Sequence, residues 1–132
     1  IGYIWSSGVN AGEQFGFRIR IVGEKASVAW DAEKPNYLSY EVQGESPRLL
    51  GRGNSYLYPE ALADDRIGGG HPEGLFEAWS NLYTKFALAI DRCEKGETID
   101  FWYPDIHAGV LGVKWVDKCV ESADKDSAWI AF

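Results

Sequence analysis

The sequence predicts an α+β fold: an open, mainly antiparallel sheet with two helices packed on one face. In the first third of the 132-residue chain, apolar and polar residues alternate, as in strands with one buried face. In the second half, apolar residues recur at the 3.6-residue period of amphipathic helices. Because the strands come first and the helices follow, the helices are expected to cover one side of an antiparallel sheet.

The clearest strand pattern lies in residues 14–21, Gln-Phe-Gly-Phe-Arg-Ile-Arg-Ile. Its alternation predicts one buried face with Phe15, Phe17, Ile19 and Ile21, and a wetter face with Arg18 and Arg20. Residues 22–25 supply a turn in which Gly23 is free to adopt a positive φ. The return strand, 26–30, completes a predicted hairpin.

Four further segments are predicted to be extended. Residues 37–42 alternate again, and 48–50 form a short edge strand. Residues 3–6 resemble the end of another strand, and 127–132 form a short terminal strand. Together with the hairpin, these segments give the predicted open sheet.

Two long helices are predicted. The first begins at Leu75 and stops near Gly96, where glycine can take the left-handed conformation after the last turn. The second begins at about Pro104, which suits a first helical turn because proline has no N–H to leave unpaired. Between the sheet and the helices lies a connection, 51–70, without periodicity, and long connections of this kind are usually functional or disordered.

Composition and charge exclude several classes of function. A length of 132 residues fits one domain. The net charge of −7 argues against binding to nucleic acid or to anionic membrane surfaces. No run of apolar residues reaches the roughly 20 needed to span a membrane. Cys93 and Cys119 are predicted to be buried, reduced thiols, which fits a cytoplasmic protein.

The known motifs for cofactors and metals are absent from the sequence. Gly51-Arg52-Gly53 lacks the third glycine and the helix of a dinucleotide-binding turn. No metal-ligand spacing, phosphate loop or serine-nucleophile motif is present. We therefore predict no metal site and no cofactor site in this chain.

The segment 68–74, Gly-Gly-Gly-His-Pro-Glu-Gly, contains the candidate binding residues His71 and Glu73. Backbone N–H groups at a helix start attract hydroxyl or anionic ligands, and the glycines let a ligand approach closely. Alternatively, His71 only caps the helix while Glu73 interacts with its dipole. His107 is predicted to be an ordinary surface residue.

Three stretches carry a resemblance to a known family. They are FRIRIVGEKASVAWDAEKPNYL, GGGHPEGLFEAWSNLYTKFALAI and YPDIHAGVLGVKWVDKCVESADKDSAWIAF, and they cover nearly the whole chain in order. The chain resembles the C-terminal domain of the Gfo/Idh/MocA sugar oxidoreductases, named after glucose–fructose oxidoreductase and inositol dehydrogenase. This resemblance implies NAD or NADP as the cofactor of the full-length protein, bound by a separate N-terminal Rossmann domain.

The departures from that family concern catalysis. Glu33-Lys34-Pro35 resembles the family's Glu-Lys-Pro, whose lysine is catalytic, but here it follows a sheet strand of the other domain. Lys34 should therefore not inherit that role. The family's Asp and His, four residues apart, have no counterpart. We expect the chain to be a fragment that starts downstream of them, without catalytic residues and without NAD or NADP bound by itself.

The resemblance also implies where ligands and partners lie. It places His71 and Glu73 near a pocket for a sugar or polyol substrate, and it implies a homo-oligomer formed through the open sheet face. Three hypotheses follow: the substrate-binding and oligomerisation domain of a dehydrogenase, a stand-alone carbohydrate-binding module, or a dimerisation domain without a ligand.

Overall fold

The computed structural model describes residues 2–132. Its elements, in chain order, are β1 (Arg18–Val22), β2 (Ala26–Asp31), β3 (Tyr37–Val42), β4 (Arg48–Gly51), α1 (Pro59–Leu62), α2 (Leu75–Lys95) and α3 (Ile106–Asp124). The four strands form one antiparallel sheet in the order β1-β2-β3-β4. The predicted α+β class with an open antiparallel sheet is confirmed, and the packing of the helices on one sheet face stays a prediction.

The chain forms two compact units. The first runs through Glu77 and holds the sheet, and the second comprises Ala78–Phe132. The boundary falls in the first turn of α2, so the sheet and the loop before this helix belong to one unit.

The register of the sheet separates an apolar face from a more polar face. Ile19 lies opposite Trp30, Trp30 opposite Leu38, and Leu38 opposite Leu50, and directly opposed residues share a face. On the other face a second row contains Arg20, Ala29, Ser39 and Leu49. The predicted alternation in β1 is therefore correct.

The predicted burial in β1 is wrong for the chain alone. Both Ile19 and Ile21 are exposed, at 47% and 63%, and so are Phe15 and Phe17. β1 is an edge strand that pairs only with β2, so its side chains have fewer neighbouring residues than Trp30 on β2 has. The only buried apolar residue in the described chain is Ala89 of α2.

The first predicted strand starts four residues later than expected, at Arg18. Gly16 takes a φ of +64°, which turns the chain away from the extended conformation. The backbone N–H groups of Phe15 and Gly16 both donate to Glu33 Oε1, at 3.2 Å, and not to a neighbouring strand. The following turn closes with Gly23 N–H on the Ala26 carbonyl, without the positive φ allowed for Gly23.

The terminal strands predicted at 3–6 and 127–132 are wrong. Neither segment is a strand, and the described sheet ends at β1 and β4. At the C-terminal end, Asp126 and Ser127 have φ values of +55° and +63°, which is incompatible with a strand starting there. The Ser122 hydroxyl instead donates to the Ala128 carbonyl.

The helix boundaries agree with the sequence to within two residues. Gly96 follows α2 with a φ of +67°, as predicted for a C-terminal glycine. The second long helix begins later than Pro104, because Asp105 is its N-cap and accepts from the Ala108 N–H at 2.9 Å. The short helix α1, with Pro59 in its first turn, was not predicted within the 51–70 connection.

Both cysteines are free, but the prediction that they are buried is wrong. Cys93 on α2 and Cys119 on α3 are exposed, because no described residues cover these parts of the helices. No helix among residues 2–132 is long and apolar enough to cross a membrane.

Candidate functional site

A cleft of about 480 Å³ lies in the first unit, beside the ends of β3 and β4. It is lined by Asn36 and Tyr37 at the start of β3, by Gly51 at the end of β4, by Arg52 and Asn54 after it, and by residues 69–72. The cleft therefore brings the Gly-Gly-His-Pro segment together with the beginning of the long connection. Sequence reasoning identified the first of these segments but not the residues that face it.

Arg52 lies directly after β4 and holds the loop before α2. From the Arg52 guanidinium, Nη1 donates to the Ile67 carbonyl at 2.8 Å and Nη2 to the Gly68 carbonyl at 3.3 Å. Nη2 also donates to the carbonyl of His71. One side chain thus fixes three backbone carbonyls of the loop.

Two carboxylates balance the Arg52 charge. Nη1 donates to Asp65 Oδ1 at 3.0 Å and to Glu73 Oε1 at 3.1 Å. The three side chains are only 16%, 15% and 8% exposed, respectively, so solvent screens these ion pairs far less than surface pairs. The second carboxylate oxygen of Asp65 is buried without a hydrogen bond, so the ion pair leaves one acceptor of the site unsatisfied.

Asn36 joins β3 to the same loop. Its side-chain Oδ1 accepts from Arg52 Nε at 3.0 Å and from the Glu73 N–H at 2.9 Å, and its Nδ2 donates to the Glu73 carbonyl at 2.9 Å. We refer to Asn36, Arg52, Asp65 and Glu73 as the Arg52 cluster. All four side chains belong to one connected hydrogen-bond network.

Glycine is required where the two parts of the connection meet. Gly53 has a φ of +71°, and a Cβ atom there would lie 2.7 Å from the backbone nitrogen of Gly69. A Cβ atom on Gly69 would lie 3.0 Å from the Gly53 carbonyl oxygen. The close approach of these two backbones shapes one wall of the cleft.

His71 does not cap the helix, so the capping alternative is wrong. α2 begins at Leu75, and the N–H of Gly74 before it donates to Glu77 Oε2 at 2.8 Å. This hydrogen bond from Gly74 is the main reason that the pKa of Glu77 lies below its ordinary value. Glu77 therefore accepts from the N–H that precedes the helix, as the glutamate of a capping box does.

His71 is exposed at the cleft, and its ring forms a hydrogen bond with a backbone carbonyl. Its Nδ1 lies 3.2 Å from the Gly68 oxygen. Because a carbonyl only accepts, this contact requires a proton on Nδ1, and the neutral ring then presents Nε2 as an acceptor. Nε2 makes no hydrogen bond to any residue in the described part of the chain.

Glu73 differs from His71 in that its carboxylate is already occupied. Oε1 accepts from the N–H groups of Arg66 and Ile67, at 2.8 and 2.7 Å, in addition to Arg52. The geometry gives Glu73 a role in fixing the loop. Its direct contact with a substrate hydroxyl stays a prediction.

The other sequence candidates, His107 and Lys34, are surface residues. His107 is exposed in the first turn of α3, as predicted for a surface residue. Lys34 is exposed beside the more polar sheet face. No group of His, Cys, Asp and Glu able to hold a metal occurs among residues 2–132.

Sequence reasoning missed the Arg52 cluster. Its hydrogen-bonded pairs are 13 to 37 residues apart, and each member stands in or beside a loop without periodicity. The available signal was an arginine between two glycines at the end of a predicted strand, followed by an aspartate and a glutamate within the same connection.

Relatives with known structures match the chain closely. A crystal structure of an oxidoreductase from Pseudomonas syringae is 57% identical, with a TM-score of 0.94 over 97% of this chain and 36% of that one. An inositol dehydrogenase homolog from Azotobacter vinelandii, solved as a complex with NADH and myo-inositol, is 55% identical, with a TM-score of 0.93 over 97% of this chain and 35% of that one.

A protein from Bacillus subtilis (strain 168) named uncharacterized oxidoreductase YfiI is 50% identical over 135 residues, which cover 100% of this chain and 34% of that protein. The chain thus spans about a third of the length of the relatives it matches. Residues 3–132 match the family model described as "Oxidoreductase family, C-terminal alpha/beta domain". The chain therefore belongs to the C-terminal domain of the Gfo/Idh/MocA oxidoreductase family.

Proposed function

We propose that this chain is the substrate-binding and oligomerisation domain of a longer NAD- or NADP-dependent oxidoreductase that acts on an inositol, a sugar or another polyol. The observation that carries the proposal is a cleft with polar residues and a free imidazole nitrogen in its lining, in a chain 55% identical to a protein solved with NADH and myo-inositol. A polyol presents hydroxyl groups that can both donate and accept, and the cleft offers partners of this kind.

The proposed role of His71 is to bind the substrate. With Nδ1 donating to the Gly68 carbonyl, Nε2 accepts a hydrogen bond from a substrate hydroxyl. The loop that carries His71 is fixed by the Arg52 cluster, so the imidazole is preorganised before a substrate arrives. Glu73 also fixes this loop, because its carboxylate accepts from the backbone N–H groups of Arg66 and Ile67.

The residues of this chain do not fit a nicotinamide dinucleotide. Gly51-Arg52-Gly53 leads into a loop and the one-turn helix α1, whereas a pyrophosphate site needs a strand, a glycine turn and the N-terminus of a long helix. We place the cofactor and hydride transfer in a separate nucleotide-binding domain of the longer protein. No catalytic residue is assigned within the described chain.

The proposed oligomer interface is the more polar face of the sheet. A shallow hollow of about 410 Å³ crosses it, lined among others by Arg18, Arg20, Ala29, Ser39 and Leu49. On this face Arg18 pairs with Asp31 at 3.2 Å, and Leu49 lies exposed beside Ser39. Apolar and charged groups on one flat surface suit a symmetric contact between two copies.

The experiment that tests the proposal uses the full-length protein that contains these 132 residues. NADH or NADPH formation is followed by absorbance with myo-inositol, aldoses and linear polyols as substrates. We expect turnover with at least one of them and with one of the two cofactors. If the complete coding sequence supplies no nucleotide-binding domain, or no polyol is oxidised, the proposal fails.

Sugar binding without oxidation would favour the carbohydrate-binding module, and self-association without sugar binding would favour the dimerisation domain. Isothermal titration with the same sugars separates these two alternatives.

A further inference from the structure

We propose that Arg52 is the positioning residue of the site: it sets the orientation of the His71 imidazole toward the substrate. The inference rests on the proposed function, because it deepens the binding role of His71. Arg52 also lines the cleft, but its guanidinium N–H groups are engaged by acceptors of the protein, so it acts on a substrate through other residues.

A single carbonyl connects the guanidinium to the imidazole. The Gly68 oxygen accepts from Arg52 Nη2 at 3.3 Å, from the His71 N–H at 3.3 Å and from His71 Nδ1 at 3.2 Å. Arg52 therefore holds the same atom that fixes the ring and its tautomer. A shift of this carbonyl moves the ring and, with it, the free Nε2.

A second contact of Arg52 fixes the backbone of His71. Arg52 Nη2 also donates to the carbonyl of His71, so the guanidinium holds the backbone on both sides of the three-residue step from 68 to 71. Gly69 and Gly70 lie between these points, and Gly70 has a φ of +86°. Glycines have the largest conformational freedom of all residues, so this step depends on external contacts to keep one conformation.

Lysine cannot replace arginine in this arrangement. A guanidinium has five N–H groups in a rigid plane, and those of Arg52 meet six acceptors, on Asn36, Asp65, Ile67, Gly68, His71 and Glu73. A lysine ammonium has three N–H groups on one nitrogen and reaches only part of this set. The carboxylates of Asp65 and Glu73 would hold either cation, but only the planar guanidinium also fixes the positions of the loop carbonyls.

Arg52 and Arg48 provide a matched pair for the test. Arg48 begins β4 and Arg52 directly follows it, but Arg48 is about half exposed and pairs with Glu45 at 2.9 Å, away from the cleft. In the full-length enzyme, Arg52→Lys should lower kcat/KM for the polyol at least about tenfold while leaving KM for the nicotinamide cofactor unchanged. Arg48→Lys should leave both quantities at their wild-type values.

A double-mutant cycle distinguishes positioning from general support of the fold. If Arg52 acts through His71, Arg52→Lys should have little further effect on kcat/KM in the His71→Ala background. Additive effects of the two substitutions would overturn the inference, and so would wild-type kcat/KM in Arg52→Lys. If Arg52→Lys does not fold, Asp65→Asn takes its place, because it weakens one ion pair of the guanidinium. Asp65→Asn should lower kcat/KM in the wild-type background and have little further effect on kcat/KM in the His71→Ala background.

A spectroscopic readout keeps the inference separate from the proposed function. In the full-length protein with labelled histidines, the Cε1–H resonance of His71 is assigned by its absence in His71→Asn. Arg52→Lys should shift this resonance, and Arg48→Lys should not. An enzyme that oxidises no polyol but shows this shift would overturn the proposed function alone, and an unchanged resonance would overturn the role of Arg52.

Discussion

The side chain of Asn36 pairs with the backbone of Glu73 as one strand pairs with another. Oδ1 accepts from the Glu73 N–H, and Nδ2 donates to the Glu73 carbonyl, both at 2.9 Å. These residues are 37 positions apart, so one amide joins the start of β3 to the loop before α2. Removing the Asn36 amide leaves the partly buried N–H and carbonyl of Glu73 without these partners.

Asn36→Ala should therefore lower the free energy of unfolding by about 2–3 kcal/mol, because unpaired buried polar groups are costly. Asn36→Asp keeps an acceptor for Glu73 N–H and Arg52 Nε, but its second carboxylate oxygen faces the Glu73 carbonyl, and two acceptors repel each other. Its loss should therefore be comparable, about 2–3 kcal/mol. Urea denaturation of the three proteins measures both losses, and wild-type stability in either variant would contradict the pairing.

The close approach of Gly53 to Gly69 predicts a strong effect of one methyl group. Gly53→Ala should destabilise the protein by about 1–3 kcal/mol, because its φ is +71° and its Cβ would meet backbone 2.7 Å away. Gly68→Ala is the control, since a Cβ there has no neighbour within 4 Å, and it should stay within about 0.5 kcal/mol of wild type. Thermal denaturation of both variants provides the comparison.

His71 should matter to turnover more than to stability. In the full-length enzyme, His71→Ala and His71→Asn should each lower kcat/KM at least about tenfold, which corresponds to roughly 1.4 kcal/mol of transition-state interaction. Because Glu77 and not His71 satisfies the helix start, neither variant should change the melting temperature appreciably. Full kcat/KM in His71→Asn would remove His71 from the site.

We predict that a charge introduced on the more polar sheet face disrupts the oligomer. Leu49 is exposed on this face, so Leu49→Asp should convert the predicted dimer or higher oligomer into smaller species by placing unpaired charges in the contact. Light scattering on the full-length protein reports the mass. Glu24→Ala, in the turn between β1 and β2, is the control and should keep the wild-type mass. A monomeric wild-type protein would contradict the interface.

Acid should weaken the end of α3 through Glu121. Its carboxylate lies 2.7 Å from Lys118 Nζ and 2.8 Å from Lys125 Nζ, and these two hydrogen bonds lower the pKa of Glu121 from 4.5 to about 2. A lowered pKa stabilises the folded state above pH 4.5, and this contribution is lost as the pH falls from 4.5 toward about 2. Far-UV circular dichroism over this pH range should show a shallower loss of helix in Glu121→Gln than in wild type.

The same pH profile should appear when both lysines are replaced by glutamine, because the carboxylate then lacks its partners. Added salt should also reduce the difference, since these side chains are partly exposed. A wild-type profile in Glu121→Gln would exclude this contribution.

Local patterns predicted the regular elements well. The bounds of β2, β3 and β4 lie within one residue of those predicted, and α2 has the predicted bounds. Alternation, helical period and Gly96 are properties of adjacent residues, which the sequence displays directly. Strands predicted at 3–6 and 127–132 failed because a short extended pattern forms a strand only when a neighbour pairs with it.

The candidate site was predicted only in part. His71 was identified from the glycines beside it, but its alternative role as a helix cap was wrong, since the Gly74 N–H before the helix donates to the side chain of Glu77. Arg52 and Asn36 were not identified, because their contacts join segments far apart along the chain. No property of a single segment reveals which of several loop arginines faces two carboxylates.

The connectivity of the Arg52 cluster has a consequence for how sequences with this fold diverge. Within the cluster, Arg52 contacts the other three members, and Asn36 and Glu73 also contact each other. One substitution therefore leaves groups on other members unmatched, and a second can restore some of them. Positions 36, 52, 65 and 73 should therefore be inherited as a unit and change in concert. Tyr37, which lines the cleft outside this cluster, remains free to vary with the substrate.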